Sequence, residues 1–309
     1  MDTVTTAIVP ILVLLAAGAL LRRRFLVDER FWAGLSWMSY WVFTPALFIT
    51  SIGRADLDAI APGPLLLSLV APILAVAGVA WAAARLSRAG GPQLTSLVQG
   101  AVRINTYVGL IFASSLNGRE GVATFALASA IVVPLVNLIS VSALSRYGAT
   151  PTGATRTPLW RSLVTNPLII GCAIGLTVNL LGIPLPPVVI APLEMLSAPA
   201  LACGTLIAGA ALHLTFRRRD LLDVSLAVTL KLIVLPLAAM AIALPLGVSG
   251  AMLQSIVLIC AVPTAPSAYV LATRMGGDTR LMATITGFQT VIAIVTMPAM
   301  IALVGVLSP

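Results

Sequence analysis

Ten long apolar runs, separated by short polar stretches, account for nearly the whole chain. They lie at about 4–22, 31–51, 62–84, 94–115, 121–144, 162–181, 190–213, 222–245, 250–273 and 281–305. Each is close to the ~20 residues a helix needs to cross ~30 Å of hydrocarbon. Two runs carry polar interruptions in their interiors. Arg103-Ile104-Asn105-Thr106-Tyr107-Val108-Gly109 brings a cation, an amide and hydroxyls into one, and Val262-Pro263-Thr264-Ala265-Pro266-Ser267 brings two prolines into another. Inside a bilayer such features are tolerated only where protein or a water-filled cavity surrounds them. The pattern predicts an all-α polytopic membrane protein whose fourth and ninth helices are broken and together frame a polar pocket.

Composition agrees. Of 309 residues, 59% are apolar and 9% charged, with a mean hydropathy of +1.07; a soluble domain carries about 25% charged residues. The net charge of +8 is consistent with a nucleic-acid binder in principle. Its arginines, however, cluster between apolar runs, so cytoplasmic loops are expected and nucleic acid is not. Arg22-Arg23-Arg24, Arg30, Arg85, Arg88, Arg146, Arg156, Arg161, Arg217-Arg218-Arg219, Arg274 and Arg280 fall on one set of alternate loops, and only Arg54 and Arg119 on the other. Positive charge stays inside, which predicts both termini outside the cytoplasm of a plasma (inner) membrane protein. The first run has no basic leader and ends in three arginines, unlike a cleaved signal peptide. Cys172, Cys203 and Cys260, odd in number and all within apolar runs, predict buried free thiols.

Five spans on each side of a Gly/Thr/Pro-containing link at 145–161 divide the chain into repeats at 1–144 and 162–309. An odd number per half requires that the repeats be inverted. Pro10 and Gly18 match Pro167 and Gly175 in spacing, Pro45-Ala46-Leu47 matches Pro199-Ala200-Leu201, and Pro72 and Pro134 have counterparts in Pro236 and Pro298. Inverted repeats with interrupted helices at the midplane are a recurrent transporter plan.

The interruptions point to an anion. Pro263 and Pro266 cannot donate and push Val262 and Ala265 out of helical geometry. In the fourth span no proline is present, and the break rests on Asn105, Thr106 and Gly109, with Asn105 or Thr106 able to cap a helix restarting near Tyr107. Two half-helix N-termini would then offer free N–H groups and partial positive charge. Arg103, about 14 Å into its span by helical rise, and Lys231, similarly deep in the eighth, each need a partner. Glu194 is the one candidate carboxylate and reads as interfacial rather than as a proton carrier. Arg103 reads either as a substrate ligand or as a structural tie, Lys231 as structural, and Asn137 as a bond to substrate or to a neighbouring helix. His213 beside Arg217 reads as solvated. Candidate substrate contacts are thus Arg103, Asn105, Thr106, Tyr107, Asn137, Pro263, Thr264, Pro266 and Ser267. No metal, cofactor or catalytic group is expected: one peripheral histidine and one membrane carboxylate supply neither a nucleophile–base pair nor a metal cluster.

Arg103-x-Asn105-Thr106-x-x-Gly109, Asn166-Pro167, Lys231-Leu232 with Pro236, and Gly276-Gly277-Asp278-Thr279, in that order across essentially the whole chain, resemble the auxin efflux carrier family. The resemblance implies ten helices in two inverted five-helix repeats, similar to bile acid:sodium symporters and sodium/proton antiporters. It implies a scaffold of helices 1, 2, 6 and 7, commonly dimeric through helices 2 and 7, and a moving domain of helices 3–5 and 8–10 with helices 4 and 9 crossing at the site. Its substrates are organic anions such as auxin or malonate. Many relatives have a proline after the glycine of the fourth span, where this chain has Leu110-Ile111-Phe112, and the sodium ligands of the bile acid relatives are not evident. The expected function is secondary transport of small organic anions by elevator-type alternating access, as efflux or uniport. An anion channel and a sodium-coupled symporter are the alternatives.

Overall fold

The computed structural model describes residues 13–54, 62–149, 164–165, 167–211 and 220–307, apart from the side chains of Val270 and Arg274. Pro10, Arg156, Arg161, Asn166, His213 and Arg217–Arg219, and most of the expected central link, lie outside these residues. All regular structure among them is helical. The elements in order are α1 (13–25), α2 (Glu29–Ile52), α3 (Pro62–Leu86), α4 (Gly91–Val102), α5 (Thr106–Tyr147), α6 (Pro167–Leu180), α7 (Pro187–Ala210), α8 (Leu221–Ala243), α9 (Gly250–Ala261), α10 (Ser267–Met275) and α11 (Thr279–Leu307). Among the described residues, six helical stretches are long and apolar enough to cross a membrane. The chain is a polytopic helical membrane protein.

Local sequence explains the boundaries. Asp28 caps α2, its Oδ1 accepting from Arg30 N at 2.8 Å, and Pro92 sits in the first turn of α4, where a missing N–H costs nothing. Asp278 caps α11 by accepting from Leu281 N at 2.9 Å. Gly118, at φ +52° and ψ −130°, a conformation glycine alone adopts readily, turns α5 back on itself. The two arms lie so close that a Cβ on Gly109 would overlap the Phe125 ring. Wider π turns interrupt α2 at Ser39–Phe43 and α8 at Leu230–Val234.

Small residues set the helix crossings, as they must where lipid removes the hydrophobic drive between helices. A Cβ on Gly18 of α1 would run into the Leu206 carbonyl of α7, and one on Gly209 into that of Leu15. Gly171 and Gly175 of α6 rest on Pro45 and Phe48 of α2 in the same way. Elsewhere α9 lies against α5 through two polar contacts, Thr124 Oγ1 to Ser255 Oγ at 2.7 Å and Asn117 Nδ2 donating to Gln254 Oε1 at 2.6 Å. Cys172 and Cys260 are buried free thiols; Cys203 is free but only half-buried.

Candidate functional site

The site begins where α4 and α9 stop. α4 ends at Val102; Arg103 and Asn105 are extended, at φ −66°, ψ 153° and φ −94°, ψ 93°, and α5 restarts at Thr106. No proline is needed, because the Asn105 side chain accepts from Val108 N at 3.4 Å and serves as the new N-cap. α9 ends at Ala261, with Val262 extended ahead of Pro263, and α10 starts at Ser267. The two breaks touch: Asn105 N donates to Pro263 O at 2.8 Å. Gly109, expected at the first break, instead lies inside α5, where the close approach of Phe125 accounts for it.

A hydrogen-bond set ties the crossing together. Thr264 N donates to Gln289 Oε1 at 2.9 Å, and Thr264 Oγ1 donates to Gly100 O at 3.2 Å. Gln289 Nε2 in turn donates to Gly100 O at 2.7 Å and Ala227 O at 3.0 Å. One amide from α11 thereby satisfies groups freed by both interruptions, as buried backbone requires.

Arg103 stands at the crossing, 9% exposed. Its Nη2 donates to Ser267 Oγ at 3.1 Å, at the first residue of α10, while its Nη1 is buried with no partner among the described residues. Tyr40, in the π turn of α2, is within electrostatic range of Arg103, and Tyr107 faces Thr44 of the same helix. The Tyr107 ring occupies the notch left by Gly204 of α7. Lys231 is fully enclosed in the π turn of α8 and donates to Cys260 O at 3.0 Å, one residue before the end of α9. A cation against a helix C-terminus meets both the charge and the orphan carbonyl.

Arg103, Asn105, Thr106, Pro263, Thr264, Pro266 and Ser267 are all at the crossing, and Tyr107 leads from it to α2 and α7. Asn137 is half-buried in the second arm of α5, with no hydrogen bond to either break among the described residues. Glu194 is elsewhere: it pairs with Arg54 at 2.6 Å, both half-exposed. The sequence reading missed Gln289, whose signal was an amide deep in the last apolar run. Among the described residues no three His, Cys, Asp or Glu side chains group to hold a metal. The free guanidinium nitrogen and the two adjoining helix N-termini suit a small anion.

Comparison with known proteins gives the context. The family model described as membrane transport protein matches residues 151–301, and an uncharacterized transporter of Methanothermobacter thermautotrophicus is 24% identical over 298 residues, covering 95% of this chain and 96% of that protein. Both matches are to membrane transport proteins, and they agree with the resemblance to the auxin efflux carrier family. These similarities support a membrane transporter.

Proposed function

We propose that this protein is a secondary transporter of the auxin efflux carrier type, moving small organic anions, carboxylates above all. The observation that carries the reading is Arg103: a nearly enclosed guanidinium with an unbonded Nη1, set where two broken helices bond to each other through Asn105 and Pro263. A buried charge costs at least ~2.5–3.5 kcal/mol at the bilayer centre on insertion scales, and an anionic ligand would offset it. Arg103, Asn105, Thr106 and Ser267 form the anion contact, with Tyr107, Asn137, Pro263, Thr264 and Pro266 around it.

In this proposal ten helices form two inverted five-helix repeats, 1–144 and 162–309. Helices 1, 2, 6 and 7 are a scaffold, and helices 3–5 and 8–10 slide against it as an elevator. The glycine contacts between α1 and α7 and between α2 and α6 support such a scaffold. The protein sits in the plasma membrane as a homodimer through helices 2 and 7, with both termini outside. Lys231 already supplies a cation at the end of α9, which supports uniport or efflux over sodium coupling. The membrane potential, worth about 2.3 kcal/mol per charge per 100 mV, then drives anions outward.

Flux through purified protein in liposomes tests this. A carrier gives saturable uptake of a labelled carboxylate that is stimulated by the same unlabelled acid inside. Linear flux without that counterflow means a channel, and no flux of any carboxylate refutes the proposal.

A further inference from the structure

Gln99 is a polar side chain to which the described residues offer no hydrogen bond. It is wholly enclosed in α4, and among the described residues neither its amide oxygen nor its amide nitrogen has a partner. Gln289, the other wholly enclosed glutamine, is bonded through both atoms. An orphaned buried amide calls for a water or a ligand that completes it.

Its position ties it to Arg103. Arg103 N donates to Gln99 O at 2.9 Å, so the two residues stand one turn apart on one face, their Cβ atoms about 6 Å apart. At the upper end of this face Arg103 meets Ser267, the first residue of α10. One turn below Gln99, Thr95 abuts Gly277, just past the end of α10: a Cβ on Gly277 would come within 3.1 Å of Thr95 Oγ1. Gln99 therefore lies along α10, between these two contacts. The same Cβ would come within 3.1 Å of Leu144 Cδ2, which places the second arm of α5 on the other side. Asn137 stands seven residues before Leu144 on the same face of that arm, about 10 Å higher, between the levels of Gln99 and Arg103.

An amide is neutral and both donates and accepts. A second carboxylate would use its N–H and leave its oxygen unpaired; a hydroxyl completes both. We propose that Gln99 is a second contact of the anion site, taking the hydroxyl of a hydroxycarboxylate whose carboxylate rests on Arg103. This assignment rests on the reading of Arg103 as the anion ligand. Entry to Gln99 requires α10 to part from α5. α10 is a short helix bounded by the Pro263–Pro266 break and by Gly276, whose φ of +75° forms a left-handed C-cap.

Titration calorimetry on the purified full-length protein with butyrate and 4-hydroxybutyrate, whose hydroxyl stands three methylenes from the carboxylate, tests the assignment. The wild type binds the hydroxy acid about tenfold or more tighter, because its absence leaves the amide unpaired. Gln99→Met brings that ratio to about one and leaves butyrate affinity within about threefold. Arg103→Gln weakens both acids together. Equal affinities in the wild type mean a resident water only and overturn the assignment without recourse to any variant; so does a ratio that survives Gln99→Met. Both results leave the Arg103 reading standing if Arg103→Gln weakens both acids, whereas a wild type that binds neither acid refutes Arg103 and Gln99 alike.

Discussion

Two glutamines, both wholly enclosed, should respond differently to the same substitution, one losing stability and the other losing none. Gln289→Met keeps length and removes every polar atom. Gly100 O still receives the Thr264 hydroxyl at 3.2 Å, and Ala227 O still receives Leu230 N, but Thr264 N loses its acceptor. One orphaned buried donor costs about 1–3 kcal/mol and each of two lost neutral bonds about 0.5–1.5, which gives about 2–6 kcal/mol of destabilisation. Gln99→Met loses no bond and relieves two unpaired atoms, so ligand-free protein should be unchanged or more stable. Equilibrium unfolding of ligand-free protein in mixed detergent micelles reads both, with thermal midpoints in detergent as a check. Equal destabilisation by the two variants would refute the bonding pattern that holds the crossing together.

Removing both helix breakers, Pro263→Ala with Pro266→Ala, should abolish carboxylate transport in liposomes while the protein still inserts and purifies; robust uptake would make the break dispensable. Gly204→Ala pushes a methyl into the Tyr107 ring. It should cost about 1–3 kcal/mol by overpacking and slow transport, with both effects relieved by adding Tyr107→Ala, as unfolding and flux assays would show. Glu194→Gln breaks a half-exposed ion pair with Arg54, should cost less than about 1 kcal/mol, and should leave uptake unchanged.

The membrane character and the two interruptions were legible in the sequence because a cation, an amide and two prolines inside apolar runs have few physical outlets. The second break follows directly from proline chemistry. The first needed the fold: Asn105 was readable as a cap, but its bond to Pro263 O arises from a contact between residues far apart in sequence. Gly109 misled because glycine serves both breaks and close packing, and only the fold brings Phe125 against it. Lys231 was readable as a buried charge in want of a partner. That the partner is the Cys260 carbonyl depends on how α8 crosses α9. Gln99 and Gln289 are the same residue type in similar apolar surroundings, and their opposite bonding is set entirely by neighbours that periodicity does not specify.

The most direct test is the affinity of purified protein for a small carboxylate, wild type against Arg103→Gln, by calorimetry. A charge-assisted contact of about 1.5–3 kcal/mol predicts a loss of about 10- to 150-fold in the variant with its fold intact. Equal affinity in the two proteins would show that Arg103 only ties α4 to α10, and the crossing would no longer be the place where an anion binds.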